Sequence, residues 1–220
     1  MKKRLTLLLI VFTTVFSLGV NAQGNSWDTG LDIYNTYIWR GTKFGAGPAF
    51  QPWVEFSNGG FAIGAWGSYS GAVLSGDSDS FMEADLYASY GFDLGENSAF
   101  SLIVTDYYFP ESPWLEGTSH FIEPAVSVEL GSFSFMGGYM LSDGVSDIYL
   151  EAGLSAGPVN FILAAGDGAY TIDGDFGICN IGISTSKEVA ISESFSLPVS
   201  GAVILNPSSE AFHIVVGISL

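Results

Sequence analysis

The chain has 220 residues, the length of one domain, with 23 acidic residues against six basic ones and a net charge of −17. So acidic a chain excludes nucleic acid as a partner, because phosphate binding needs lysine and arginine. One cysteine, Cys179, excludes an internal disulfide, and no run of 18 apolar residues after residue 22 offers a membrane-spanning helix.

The N-terminus reads as a signal peptide over residues 1–22. Lys2, Lys3 and Arg4 form its basic region, Leu5 to Phe16 its apolar region, and Val20-Asn21-Ala22 its small-residue cleavage site. Cleavage before Gln23 would leave Arg40, Lys43 and Lys187 against all 23 acidic residues, a net charge of −20. No cysteine follows the cleavage site, so a lipid-anchored form is not expected.

From residue 26 onward the dominant pattern is alternation with period two, the period of β-strands. Glu83, Asp85, Tyr87 and Ser89 oppose Ala84, Leu86, Ala88 and Tyr90. Phe212, Ile214, Val216, Ile218 and Leu220 oppose His213, Val215, Gly217 and Ser219. About twelve segments follow this rule, near the roughly ten residues a tilted spanning strand needs. They lie at 28–40, 49–57, 60–70, 81–92, 98–108, 120–130, 132–141, 147–155, 158–166, 175–185, 194–205 and 211–220. Asn58-Gly59-Gly60, Gly131-Ser132 and Ala156-Gly157-Pro158 supply tight turns, and longer links alternate with them. The links near 93–97 and 186–193 fit this scheme least well. A chain that is 48% hydrophobic and 15% aromatic, without a spanning helix, fits one arrangement best. That is an all-β, antiparallel transmembrane β-barrel over residues 23–220, with apolar side chains toward lipid and polar ones inside.

Several motifs follow in order. Residues 32–41 read Asp-Ile-Tyr-Asn-Thr-Tyr-Ile-Trp-Arg-Gly, then come Gly47-Pro48-Ala49-Phe50-Gln51 and Gly60-Phe61-Ala62-Ile63-Gly64-Ala65-Trp66-Gly67-Ser68. Glu83-Ala84-Asp85-Leu86-Tyr87 and Asp106-Tyr107-Tyr108-Phe109-Pro110 complete the series. Over roughly residues 30 to 130 the chain resembles the TorF-type porin family of bacterial outer-membrane barrels. The resemblance implies an outer-membrane porin barrel and leaves the solute open. Such barrels usually end in an aromatic residue, whereas this sequence ends in Leu220.

By strand parity Asp32, Glu55, Glu83, Asp85, Glu123, Glu129 and Glu151 face inward, and so does Arg40. Charges on the lipid face would be costly. Arg40, Glu55, Glu83, Asp85, Glu123 and Glu151 are therefore the candidate lumen residues. They could form a cation-preferring constriction, or a structural network in which Arg40 clamps Glu83, Asp85 or Glu123. Tyr37, Trp39, Tyr69, Tyr107 and Tyr139 read as an aromatic girdle at the outer interface, with Trp114 as a possible sugar-stacking residue beside Glu111 and Glu116.

Ser80, Asp106 and His120 have outward parity, but Ser80 and His120 would sit two strand spacings apart, about 10 Å. That is too far for proton transfer, so His120 and Asp106 are expected to pair with each other. Cys179 shares parity with Ile181 and Ile183 and should meet lipid. His213 points inward without an evident partner. Asp77, Asp79, Asp173 and Asp175 lack the spacing of a calcium loop, and no metal or other cofactor is expected.

The expected function is a passive channel for small polar solutes, favouring cations, in a Gram-negative outer membrane. A closed structural or adhesive barrel is the alternative, and an outer-leaflet lipid enzyme a more distant one. Expected partners are outer-membrane lipid, lipopolysaccharide and the assembly machinery that reads the last strand. The oligomeric state stays open.

Overall fold

The computed structural model describes residues 24–220, apart from 77, 111, 112, 117, 118, 143 and 194. The expected signal peptide, Asp77 and Glu111 lie outside the described residues. The strands in chain order are β1 (Asn25–Tyr34), β2 (Tyr37–Trp39), β3 (Thr42–Phe44), β4 (Ala49–Asn58), β5 (Phe61–Ser70), β6 (Met82–Gly95) and β7 (Ser98–Tyr108). They continue as β8 (His120–Leu130), β9 (Phe133–Ser142), β10 (Val145–Ala156), β11 (Val159–Gly166), β12 (Gly177–Ala190), β13 (Ser196–Asn206) and β14 (Ala211–Ser219). A short helix, α1 (Gly71–Ser75), follows β5.

Strands β4 to β14 pair in sequence, each antiparallel to the next, and β1 closes the ring between β14 and β4. Among the described residues this is a closed antiparallel barrel of twelve strands. Closure leaves no edge strand, which is what lets a sheet sit in hydrocarbon. The closing seam is short: Asp32 faces Ser219, Ile33 faces Ile218 and Tyr34 faces Gly217. The backbones of Leu31 and Leu220 exchange two hydrogen bonds of 3.0 and 2.9 Å at one end. At the other, the Asn35 side chain continues the ladder. Its Nδ2 donates to the Ile214 carbonyl at 3.1 Å and its Oδ1 accepts from the Val216 N–H at 2.8 Å.

Alternation in sequence becomes alternation in space. Phe212, Ile214 and Val216 are 60%, 59% and 50% exposed, whereas Val215 between them is 0% exposed. The other strands show the same apolar exterior, including Leu86, Leu102, Val126, Leu150 and Ile183. An apolar belt with polar side chains behind it is the surface of a lipid-embedded barrel. Exposed Trp27, Phe61, Phe92, Phe133 and Phe195 ring the end where β1 begins at Asn25 and β14 finishes at Ser219. This aromatic rim went unread in the sequence, because its members were counted simply as apolar strand positions.

Three expectations need correction. The segment 28–40 is not one strand: β1 ends at Tyr34, and β2 and β3 form a separate two-stranded hairpin. Cys179 does not meet lipid but is fully buried. The β11–β12 register shifts between Ala164 and Ala165, so that Ala164 faces Asn180 while Ala165 faces Ile178. The extra residue leaves Cys179 and Asn180 both inside, as a β-bulge does when two residues oppose one. Finally, β6 and β12 run on to Gly95 and Ala190, so the two poorly fitting links shorten to 96–97 and 191–195.

Ile214 lies near mid-height of the exposed face of β14. Ile214→Arg should destabilise the barrel by about 2–4 kcal/mol. Urea unfolding of the chain refolded into lipid vesicles, compared with the wild type, measures this loss.

Candidate luminal site

The hairpin β2–β3 grows from the end of β1 and returns to β4, so its root is fixed to the barrel wall. Tyr37 pairs with Phe44, Ile38 with Lys43 and Trp39 with Thr42, leaving Arg40-Gly41 as the tip. Ile38 is almost fully buried and packs in one cluster with Tyr34, Ala202, Ile204 and Val215, which line the inner face of β1, β13 and β14. The hairpin therefore occupies the barrel interior. Its tip adopts a left-handed backbone, with φ of 49° at Arg40 and 84° at Gly41. A Cβ on Gly41 would lie 2.2 Å from the Cys179 carbonyl oxygen, so only glycine fits this approach to the wall.

Arg40 carries the main polar contact. Its Nη1 and Nη2 donate to the two carboxylate oxygens of Glu123 on β8, at 2.5 and 2.7 Å. Nη1 also donates to the Tyr170 hydroxyl at 2.6 Å. The guanidinium carbon stands 4.1 Å from the centre of the Tyr149 ring on β10, 4.7 Å from Trp39 and 5.3 Å from Tyr170. Two parallel hydrogen bonds and stacked aromatic faces are the contacts a planar guanidinium makes and an ammonium cannot. Glu123 is itself placed: Tyr107 donates to its Oε1 at 3.3 Å, and the missing side chain of Gly138 leaves room for the carboxylate. Tyr170, in a 3-10 turn at Gly168–Tyr170, is buried, and burial pushes its phenol above the ordinary range.

The candidate lumen residues all lie inside. Of the three partners open to it in the sequence, Arg40 takes Glu123 and makes no hydrogen bond to Glu83 or Asp85 among the described residues. Glu83 meets the Tyr37 hydroxyl instead. Glu151 accepts from Tyr149 at 2.7 Å, and Glu55 accepts from Tyr87 at 3.1 Å nearer the terminal end. Arg40, Glu83, Asp85 and Glu123 are only 2–3% exposed, so the hairpin closes the lumen at their level. The cavity beside its tip, lined by Ile38, Arg40, Glu151, Asn180 and Ile204 among others, holds about 10 Å³ of water-accessible space. That is room for about one water.

Of the five girdle candidates, two lie on the exterior and three do not. Tyr69 and Tyr139 are exposed on the exterior. Tyr37, Trp39 and Tyr107 are interior: Tyr37 packs on Trp66, Phe44 and Phe81, and Trp39 on Tyr107 and Tyr170. Tyr37 and Trp39 moved because the hairpin folds inward. On the exterior, His120 Nδ1 lies 2.9 Å from Asp106, as expected, and its Nε2 lies 2.7 Å from the Trp114 carbonyl. Both ring nitrogens are thereby engaged, leaving neither for a serine hydroxyl. Trp114 stacks edge-on against His120 and Tyr108.

No family model matches the chain, and no curated protein matches it. Solved structures do. A Rhodopseudomonas blastica porin mutant is similar at 13% identity and a TM-score of 0.39 over 78% of this chain, which spans 55% of the porin's length. The Salmonella typhi outer membrane phospholipase, solved as a dimer with bound calcium, is similar at 13% identity and a TM-score of 0.44. That match covers 87% of this chain and 88% of the phospholipase.

Removing one partner of a buried ion pair is costly because it strands the other charge. Glu123→Gln should lower the unfolding free energy by about 3 kcal/mol. Tyr107→Phe, which removes one hydrogen bond to Glu123, should cost about 1 kcal/mol. Denaturant titrations of the refolded barrel, followed by tryptophan fluorescence, give both values.

Proposed function

We propose that the protein is a porin-like channel of the Gram-negative outer membrane, passing small polar solutes with a preference for cations. The carrying observation is the charge balance of the interior. Glu55, Glu83, Asp85 and Glu151 face inward, while the one interior arginine, Arg40, is committed to Glu123. Carboxylates in a narrow low-dielectric passage attract cations and repel anions. The hairpin at Tyr37–Phe44 is the constriction, and the terminal end around Glu55 and Glu129 leads to it. The apolar exterior supports contact with outer-membrane lipid, and the last strand is the segment offered to the assembly machinery.

A second reading has its own support. The near-complete burial of Arg40, Glu83, Asp85 and Glu123 also suits a permanently closed barrel with a structural or adhesive role for its outer links. Electrical recording separates the two. Residues 23–220 refolded into a planar bilayer should give small, intermittent currents that favour K⁺ over Cl⁻. Replacing Glu83 by Gln together with Asp85 by Asn should reduce that preference. Silence at every voltage supports the closed barrel, and anion preference contradicts the channel proposal.

A further inference from the structure

The surroundings of Arg40 have the composition of a receptor site. Nearly every group that holds the guanidinium belongs to the barrel wall or its outer links: Glu123, Tyr149 and Tyr170, with Tyr107 and Gly138 setting the carboxylate. Only Trp39 arrives with the hairpin. The hairpin, by contrast, is tied to the wall by side chains: Ile38 sits in its apolar cluster, and Tyr37, Trp39 and Phe44 pack on Trp66, Tyr107 and Phe81. It forms its own two-stranded sheet, and among the described residues no backbone-to-backbone hydrogen bond joins Tyr37–Phe44 to a barrel strand. Its tip is held by side chains: the Arg40 contacts, Asn206 Nδ2, which donates to the Gly41 carbonyl at 3.3 Å, and His213, which hydrogen-bonds the Gly41 backbone.

We infer that this wall site binds guanidinium-bearing cations from the medium, and that Arg40 is its built-in occupant. A solute guanidinium that takes Glu123 and the Tyr149 face releases the tip, and the freed hairpin opens the lumen to that class of solute. The selectivity follows from shape. A planar fork satisfies both Glu123 oxygens while lying over Tyr149, whereas an ammonium is a point charge with no face to stack. Because Arg40 is tethered, a free competitor faces an effective concentration on the order of millimolar, so displacement needs a similar or higher solute concentration.

Cys179 reports the event without requiring conduction. It is fully buried in a cluster with Tyr149, Ala164 and Tyr170 against which the hairpin's Trp39 packs, and the Gly41 backbone rests against its carbonyl, so withdrawal of the hairpin thins its cover. The inference rests on the cation-channel reading for its purpose, but this readout does not. Alkylation of Cys179 by a maleimide is timed on the mature chain in detergent micelles. Methylguanidinium or L-arginine at tens of millimolar should accelerate it about ten-fold, the signature of a shifted population. L-lysine and KCl at equal ionic strength should not. Glu123→Gln should alkylate fast with no dependence on guanidinium. Folded Arg40→Ala, checked by its heat-dependent gel mobility, should bind methylguanidinium saturably, and Arg40→Ala combined with Glu123→Gln should not. Equal effects of arginine and lysine, or none from either, overturn the inference, as does a folded Arg40→Ala without saturable binding. Should Arg40→Ala not fold, the wild-type and Glu123→Gln alkylation rates decide alone. Accelerated alkylation without any bilayer current keeps the site and removes the channel. Cation current with guanidinium-independent alkylation removes the site and keeps the channel.

Discussion

Every backbone N–H and C=O of a lipid-embedded sheet needs a protein partner, because hydrocarbon supplies none. The whole architecture depends on meeting that demand by closure. Twelve strands pair in a ring, and the one short seam, between β1 and β14, is extended by the Asn35 side chain where β1 leaves the wall. Closure then fixes the fate of each side chain. With a period of two, a residue either meets lipid or meets the interior, and this sequence divides its apolar and polar residues accordingly.

The interior is where this division has consequences. A surplus of carboxylates is gathered in a confined space, and one arginine is delivered to them on a hairpin rather than from a strand. Arg40 neutralises Glu123 and fills the ring of Tyr107, Tyr149 and Tyr170, so closing the lumen and pairing these two buried charges are one event. Three of the other interior carboxylates lean on tyrosine hydroxyls: Glu83 on Tyr37, Glu55 on Tyr87 and Glu151 on Tyr149. The interior is thus a polar network in which aromatic rings do the packing and their hydroxyls do the pairing.

Much of this was legible in the sequence, because period-two alternation survives into structure. The barrel, its strand count and most strand bounds follow from it, as do the inward positions of Glu55, Glu83, Asp85, Glu123 and Glu151. The hairpin was hidden because Asn35-Thr36 does not look like a break. Its turn also places Arg40, not a residue that favours the left-handed region, at φ 49°. Gly41 was the available signal. The interior place of Tyr107 was readable from its neighbour, since Asp106 was already assigned outward and parity puts Tyr107 opposite. Cys179 was not readable at all, because the bulge that turns it inward leaves no mark in the local pattern.

The central claim is that alternate residues of each strand face lipid and interior. Single-cysteine scanning of β14 on a Cys179→Ser background, with a fluorophore at each position from 212 to 219 and lipid-borne against water-soluble quenchers, tests it directly. Strong lipid quenching is expected at 212, 214, 216 and 218, and weak lipid quenching at 213, 215, 217 and 219. Uniform quenching by the water-soluble reagent, with no two-residue period, would contradict it.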